Sequence, residues 1–221
     1  MPTLDPSTLL PLFTQPPSSP SIVSYLSTLT SSSLTPEPET KSYSDSIYHN
    51  YYSIGISLSF HPLRGLDSVD VYNPSITPPP RRIAQKPLPT YTNSPEIILH
   101  FMSDQIVLPP RKEGEEPLSI KRPIAFTLKT TSTGRDLVSC LGEPTRKGSG
   151  GWTGLWLEWS SVSLKNPEGK GIIIGIMVEL NDPGANEILT EEGRKKGMGG
   201  VWERASRWTW SNIKLFKVDH Q

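Results

Sequence analysis

Apolar residues fall along this chain in short blocks separated by polar and proline-rich stretches, and the spacing inside each block predicts an element. Ile22, Tyr25, Leu26 and Leu29 stand at i, i+3, i+4 and i+7, one face of a helix over residues 21–29. Over residues 51–60, Ile54, Ile56, Leu58 and Phe60 alternate with Ser53, Gly55, Ser57 and Ser59, the pattern of a strand with one face buried and the other in water. Residues 61–65 make a turn, residues 66–72 return as a strand, and residues 96–101 read as a third. In the second half Ile124, Phe126 and Leu128 alternate as a strand. Thr131, Ser132 or Thr133 is placed to cap a helix over residues 134–141, with Asp136 favourable in its first turn and Gly142 and Pro144 ending it. Residues 152–164 and 171–180 read as a long hairpin across an Asn166-Pro167-Glu168-Gly169 turn, a short helix is expected near residues 185–195, and residues 208–218 supply the last strand.

The blocks recur in the same order in the two halves, a helix seed followed by strand-like segments. The expected fold is therefore α+β, with two tandem helix-plus-antiparallel-sheet units whose sheets join into one curved surface. A proline-rich tail covers residues 1–20, and its Leu9, Leu10, Leu12 and Phe13 are suited to docking as a short apolar segment. The first unit then spans residues 21–107, a linker residues 108–123, and the second unit residues 124–221. Residues 30–46, rich in Ser, Thr, Pro and Glu, and residues 147–151, rich in glycine, are expected to be loops.

Composition narrows the function more than it names one. The chain has 221 residues with 22 Lys and Arg against 22 Asp and Glu, so no net field draws it to nucleic acid. The single cysteine, Cys140, excludes an intrachain disulfide and lies on the apolar face of its helix with Leu137 and Leu141, the place of a buried, inert thiol. The first 20 residues lack a signal-peptide pattern and no apolar run approaches the ~18 residues of a membrane span, which points to a soluble, cytoplasmic protein.

Catalytic and metal chemistry find little footing. The four histidines, His49, His61, His100 and His220, never stand at i, i+3 or i+4 to one another. No nucleophile elbow precedes Ser139, so a triad with Asp136 has no context. The run from Arg146 through the glycines follows a helix and precedes a strand, the reverse of a phosphate-binding loop. The expectation is a non-enzymatic protein without metal or cofactor. All six tryptophans lie between positions 152 and 210. Leu155, Leu157 and Trp159 share one face of their strand, and Trp152, Trp156 and Glu158 the other. The expected site is a protein-binding surface anchored by Trp152, Trp156 and Trp208 and tuned by Arg146 and Lys147. The alternative is a small-molecule or lipid pocket between the sheet and its helices. Arg204, Arg207, Lys214 and Lys217 near the tryptophans leave room for peripheral membrane contact.

The run Asn50 to Phe60, the returning strand through Val69 and Val71, Leu137-Val138-Ser139-Cys140-Leu141-Gly142-Glu143-Pro144 and the strand Gly154 to Trp159 together resemble the C-terminal region of the phagosome (phagophore) assembly factor family. The resemblance covers roughly residues 45–180. It implies a scaffold role in autophagy at phagophore assembly sites, with a WD-repeat propeller as partner and no catalytic residues to carry over.

Overall fold

A computed structural model describes residues 2–30, 35–76, 89–108, 110, 112, 114–150, 154–182 and 199–218. The chain is α+β and mostly strand, and its strands form one large antiparallel sheet and two small ones. The large sheet has eight strands. From the first half come β2 (Glu39–Ser42), β3 (Ile47–Tyr51), β4 (Ile56–His61) and β5 (Gly65–Tyr72). From the second come β10 (Arg146–Gly150), β11 (Gly154–Lys165), β12 (Gly171–Leu180) and β13 (Trp210–Phe216). Their order is β10-β11-β12-β13-β5-β4-β3-β2, so each half is an antiparallel meander and the halves join where β13 pairs with β5. A three-stranded sheet sets β6 (Glu96–His100) between β1 (Thr3–Leu4) and β9 (Ala125–Leu128), and β7 (Gln105–Leu108) pairs with β8 (Leu118–Lys121) as a separate hairpin.

The helices follow from their ends and their apolar spacing. Helix α1 (Pro20–Thr28) opens on a proline, which lacks only an N–H that would be unpaired there, and buries Ile22 and Leu26, with Leu29 buried just beyond it. Helix α2 (Gly134–Leu141) carries a capping box: the Asp136 carboxylate accepts from the Thr133 backbone N–H at 2.8 Å, and the Asp136 N–H donates back to Thr133 Oγ1 at 3.4 Å. Helix α3 (Gly199–Ala205) precedes β13. The N-terminal segment docks as a 3-10 helix over Pro6–Leu12, and Leu4, Leu9, Leu12 and Phe13 are buried. Each such side chain contributes about 1.5–3 kcal/mol of burial. One core cluster unites these with Leu58 and Val69 of the first half and Trp159, Ile176 and Trp210 of the second.

Several expectations are corrected. Residues 51–60 are not one strand: Tyr52–Ile54 is a 3-10 turn, Gly55 takes φ 69 as its left-handed cap, and the strand begins at Ile56. Residues 30–46 include β2, an edge strand whose four residues are all exposed and are held by the ladder to β3. Residues 146–150 form strand β10, not a loop, and the segment 108–123 carries β8. The residues expected in water on β4 are buried, Ser57 to 1% and Ser59 to 8% exposure. The strand read at 96–101 leaves the main sheet for the small one. The helix expected near residues 185–195 lies outside the described residues.

The two faces of the main sheet differ in kind. One carries the core. On the other, a single register line crosses all eight strands, with Arg146, Glu158, Met177, Lys214, Asp70, Ser57, Asn50 and Glu39 opposite one another in turn. Two large rings lie on this face over glycines. Trp156 stands opposite Gly148, where a Cβ would come within 2.6 Å of the indole, and Phe216 covers Gly175, whose Cβ would run into its ring. The missing side chains are what lets both rings lie flat.

Candidate functional site

A groove of about 710 Å³ opens where α2, α3 and the β7–β8 hairpin meet the end of the main sheet. Its apolar lining comes from Leu157 on β11, Leu180 on β12, Val138 on α2, and Ile106, Leu108 and Ile120 on the hairpin. The floor exists because β11 and β12 alternate, so Leu157 and Leu180 point to the core face while Trp156 and Glu179 point away. The walls meet closely at two glycines of the groove lining, one at each end of α2. At the N-terminus of α2, Gly134 sits so close to α3 that a Cβ would come within 2.7 Å of the Ala205 carbonyl oxygen. At its C-terminus, Gly142 takes φ 84, and a Cβ there would lie 2.9 Å from Ile106.

Arg122 ties the hairpin to the helix. It donates to the Ser103 and Cys140 carbonyls, each at 3.0 Å, and lays its guanidinium 3.9 Å from the centre of the Phe101 ring. The Cys140 thiol is buried, and desolvation pushes its pKa up, with Asp136 adding to the shift and Arg122 opposing it. Burial of this kind disfavours the thiolate, the nucleophilic form.

The rim is charged and mostly basic. Lys121, Arg135 and Lys147 line the groove with Glu143. Lys147 reaches Glu143 at 3.4 Å and stands 5.4 Å from the centre of the Trp202 ring, which itself lines the groove. The hairpin beside it exposes Val107 and Leu118 to 67% and 56%, unusual for aliphatic side chains on a paired strand.

The residues expected to form one site are divided by the sheet. Lys147 pairs with Leu157 on the groove side, whereas Arg146 pairs with Glu158 on the polar side, where it meets that carboxylate at 3.6 Å and lies 5.7 Å from the Trp156 ring centre. Trp208 is partly buried against the core and its carbonyl accepts from the Gly134 N–H at 2.9 Å, which makes it a support of α2. Trp152 lies outside the described residues. Sequence reasoning missed Trp202, Val138 and the hairpin residues. The available signal was the apolar run Ile106-Val107-Leu108 facing the alternating Leu118-Ser119-Ile120 across a charged turn, which the prolines between them obscure.

Among the described residues no group of three His, Cys, Asp or Glu side chains is placed to hold a metal ion, and no helix is long and apolar enough to cross a membrane. No protein-family model, curated protein or solved structure matches the chain.

Proposed function

We propose that the chain is a non-enzymatic binding protein that receives an amphipathic segment of a partner protein in the groove between α2, α3 and the β7–β8 hairpin. The observation that carries this reading is an apolar floor ringed by three cations and one carboxylate, which matches apolar side chains flanked by Asp or Glu. Trp202 and Lys147 are its anchors. Arg146 and Trp156 stand on the other side of β10, the last strand at this end of the sheet, so a partner that touches both sets wraps that edge. The resemblance of its motifs to those of the phagophore assembly factors extends the proposal to autophagy, with a WD-repeat propeller as the partner at the forming membrane. A second reading, a small amphipathic ligand, is favoured by the groove's volume, which falls in the range of small-molecule pockets.

The test is selection from a displayed peptide library against the wild-type chain and Val138→Glu. Val138 is 39% exposed, so the change charges the groove without opening the core. Peptides pairing apolar residues with Asp or Glu are expected to bind the wild type and to lose about tenfold or more in affinity on the variant, with circular dichroism unchanged. Selection of no peptide, together with thermal stabilisation by dodecanoate, moves the assignment to the small-ligand reading. Peptides that bind both proteins equally sink both.

A further inference from the structure

The polar face of the main sheet holds a second cavity, independent of the groove. Tyr48, Asp70, Tyr72, Met177, Glu179, Asn212 and Lys214 line about 310 Å³, and Tyr48 and Tyr72 also line an adjoining cavity of about 700 Å³ that includes Tyr43, Tyr52 and Tyr91. These side chains converge because of register: Tyr72 faces Asn212, which faces Glu179, while Asp70 faces Lys214, which faces Met177.

The wall is rigid. Tyr72 and Tyr91 stack with ring centres 3.8 Å apart, Tyr52 packs on Tyr91 at 4.7 Å, and Asn50 Oδ1 accepts from both the Ser57 and Tyr91 hydroxyls at 2.8 and 2.9 Å. The charges do not balance. Lys214 lies 3.8 Å from Asp70, and Lys41 is taken by Glu39 at 3.1 Å. Among the described residues no cation forms an ion pair with half-buried Glu179. The trough therefore has a surplus carboxylate on a floor with two tyrosine rings and a thioether, the surroundings that suit a cation carried on an apolar stem.

We propose that this trough binds a small organic cation, an ammonium or guanidinium group on a short apolar stem, with Glu179 as its counter-ion. Asn212 lies between Glu179 and Tyr72 and offers a carbonyl oxygen to the N–H donors, while Tyr48, Tyr72 and Met177 flank the stem. The same chemistry is presented by a free amine and by an arginine or lysine side chain of a peptide. An anion fits poorly, because the lysine at hand is already paired with Asp70.

The full chain is titrated with n-butylguanidinium, with acetyl-Gly-Arg-Gly-amide and with butyrate, following amide chemical shifts by NMR. Saturable shifts at Asn212 and Lys214 are expected with a cationic probe and not with butyrate. Glu179→Gln, which keeps the Asp70–Lys214 pair, should weaken binding about tenfold. Met177→Lys, which plants an ammonium two residues from Glu179 on the same face, should abolish it. Tighter binding of the peptide assigns a protein source and tighter binding of the free guanidinium a metabolite. Failure to saturate with either cation, equal affinity in Glu179→Gln, or binding of butyrate at the same residues overturns the proposal.

Discussion

Asp70 shows what the polar face costs a single residue. It is 5% exposed, and burial lifts its carboxyl from the ordinary 3.8 to about 6 against the pull of Lys214 and Asn212. The groups around it are Lys214 and Asn212 from β13, Glu179 from β12, Tyr72 from its own strand, Tyr48 from β3, and Tyr91, whose hydroxyl bonds Asn50 and whose own pKa is pushed up to about 12 by burial. A folded-state value above the unfolded one means that the folded chain holds the proton more tightly. The contribution of Asp70 to stability is then fully present below 3.8 and is lost as pH rises through about 6. Urea unfolding of the wild type and Asp70→Asn should show a stability difference that falls by at most about 3 kcal/mol between pH 4 and 7; a flat difference would mean that burial does not govern this carboxyl. The sequence shows half of this environment. Leu155, Leu157 and Trp159 read correctly as one buried face because large apolar residues have one plausible place. Ser57 and Ser59 read as wet because a small polar residue alternates in the same way under water or under a second polar layer.

Elements were legible where their ends are chemically marked. Helix α2 announces itself through Thr133, Asp136, Gly142 and Pro144, and the capping box forms as that spacing requires. Removing the hydroxyl with Thr133→Ala should cost about 1 kcal/mol in chemical denaturation. Thr133→Ser, which keeps an acceptor, should restore most of it; equal loss in both variants would mean that the cap matters through its methyl packing instead. Strand β10 had no such mark. Its residues include glycines that disfavour a strand by themselves, and what makes it one is the ladder to β11 with the Trp156 ring over Gly148. Strand β2 is similar, since its pairing with β3 holds four exposed residues in place. A property supplied by a neighbour across the sheet is absent from the local pattern, and for the same reason the groove's hairpin wall reads as a linker in the sequence.

At the scale of the whole molecule the halves share a seam that should make them unfold together. Five residue pairs join β5 to β13 through Val69, Val71, Ile213 and Leu215, all buried, and β6 of the first half pairs with β9 of the second. Phe101 bridges to Leu164, and the cluster that contains Leu58 also contains Trp159. These links cross the 108–123 segment, where the sequence suggests the boundary between units. Because all six tryptophans lie at positions 152–210, their fluorescence reports the second half alone, whereas far-ultraviolet circular dichroism reports both. Leu58→Ala removes a side chain that is 2% exposed in the first half, a change that typically costs about 2–5 kcal/mol. If the seam couples the halves, both probes should shift to the same lower urea midpoint, although no tryptophan lies in the mutated half. A fluorescence midpoint left where it was, with only the dichroism transition split or lowered, would show that each half folds on its own core and that the β5–β13 pairing is a docked interface. The distinction bears on both sites: the groove is built largely from the second half, whereas the cation trough takes Asp70 and Tyr72 from one half and Glu179 and Lys214 from the other. A seam that opens separately would therefore dissolve the trough while leaving the groove intact.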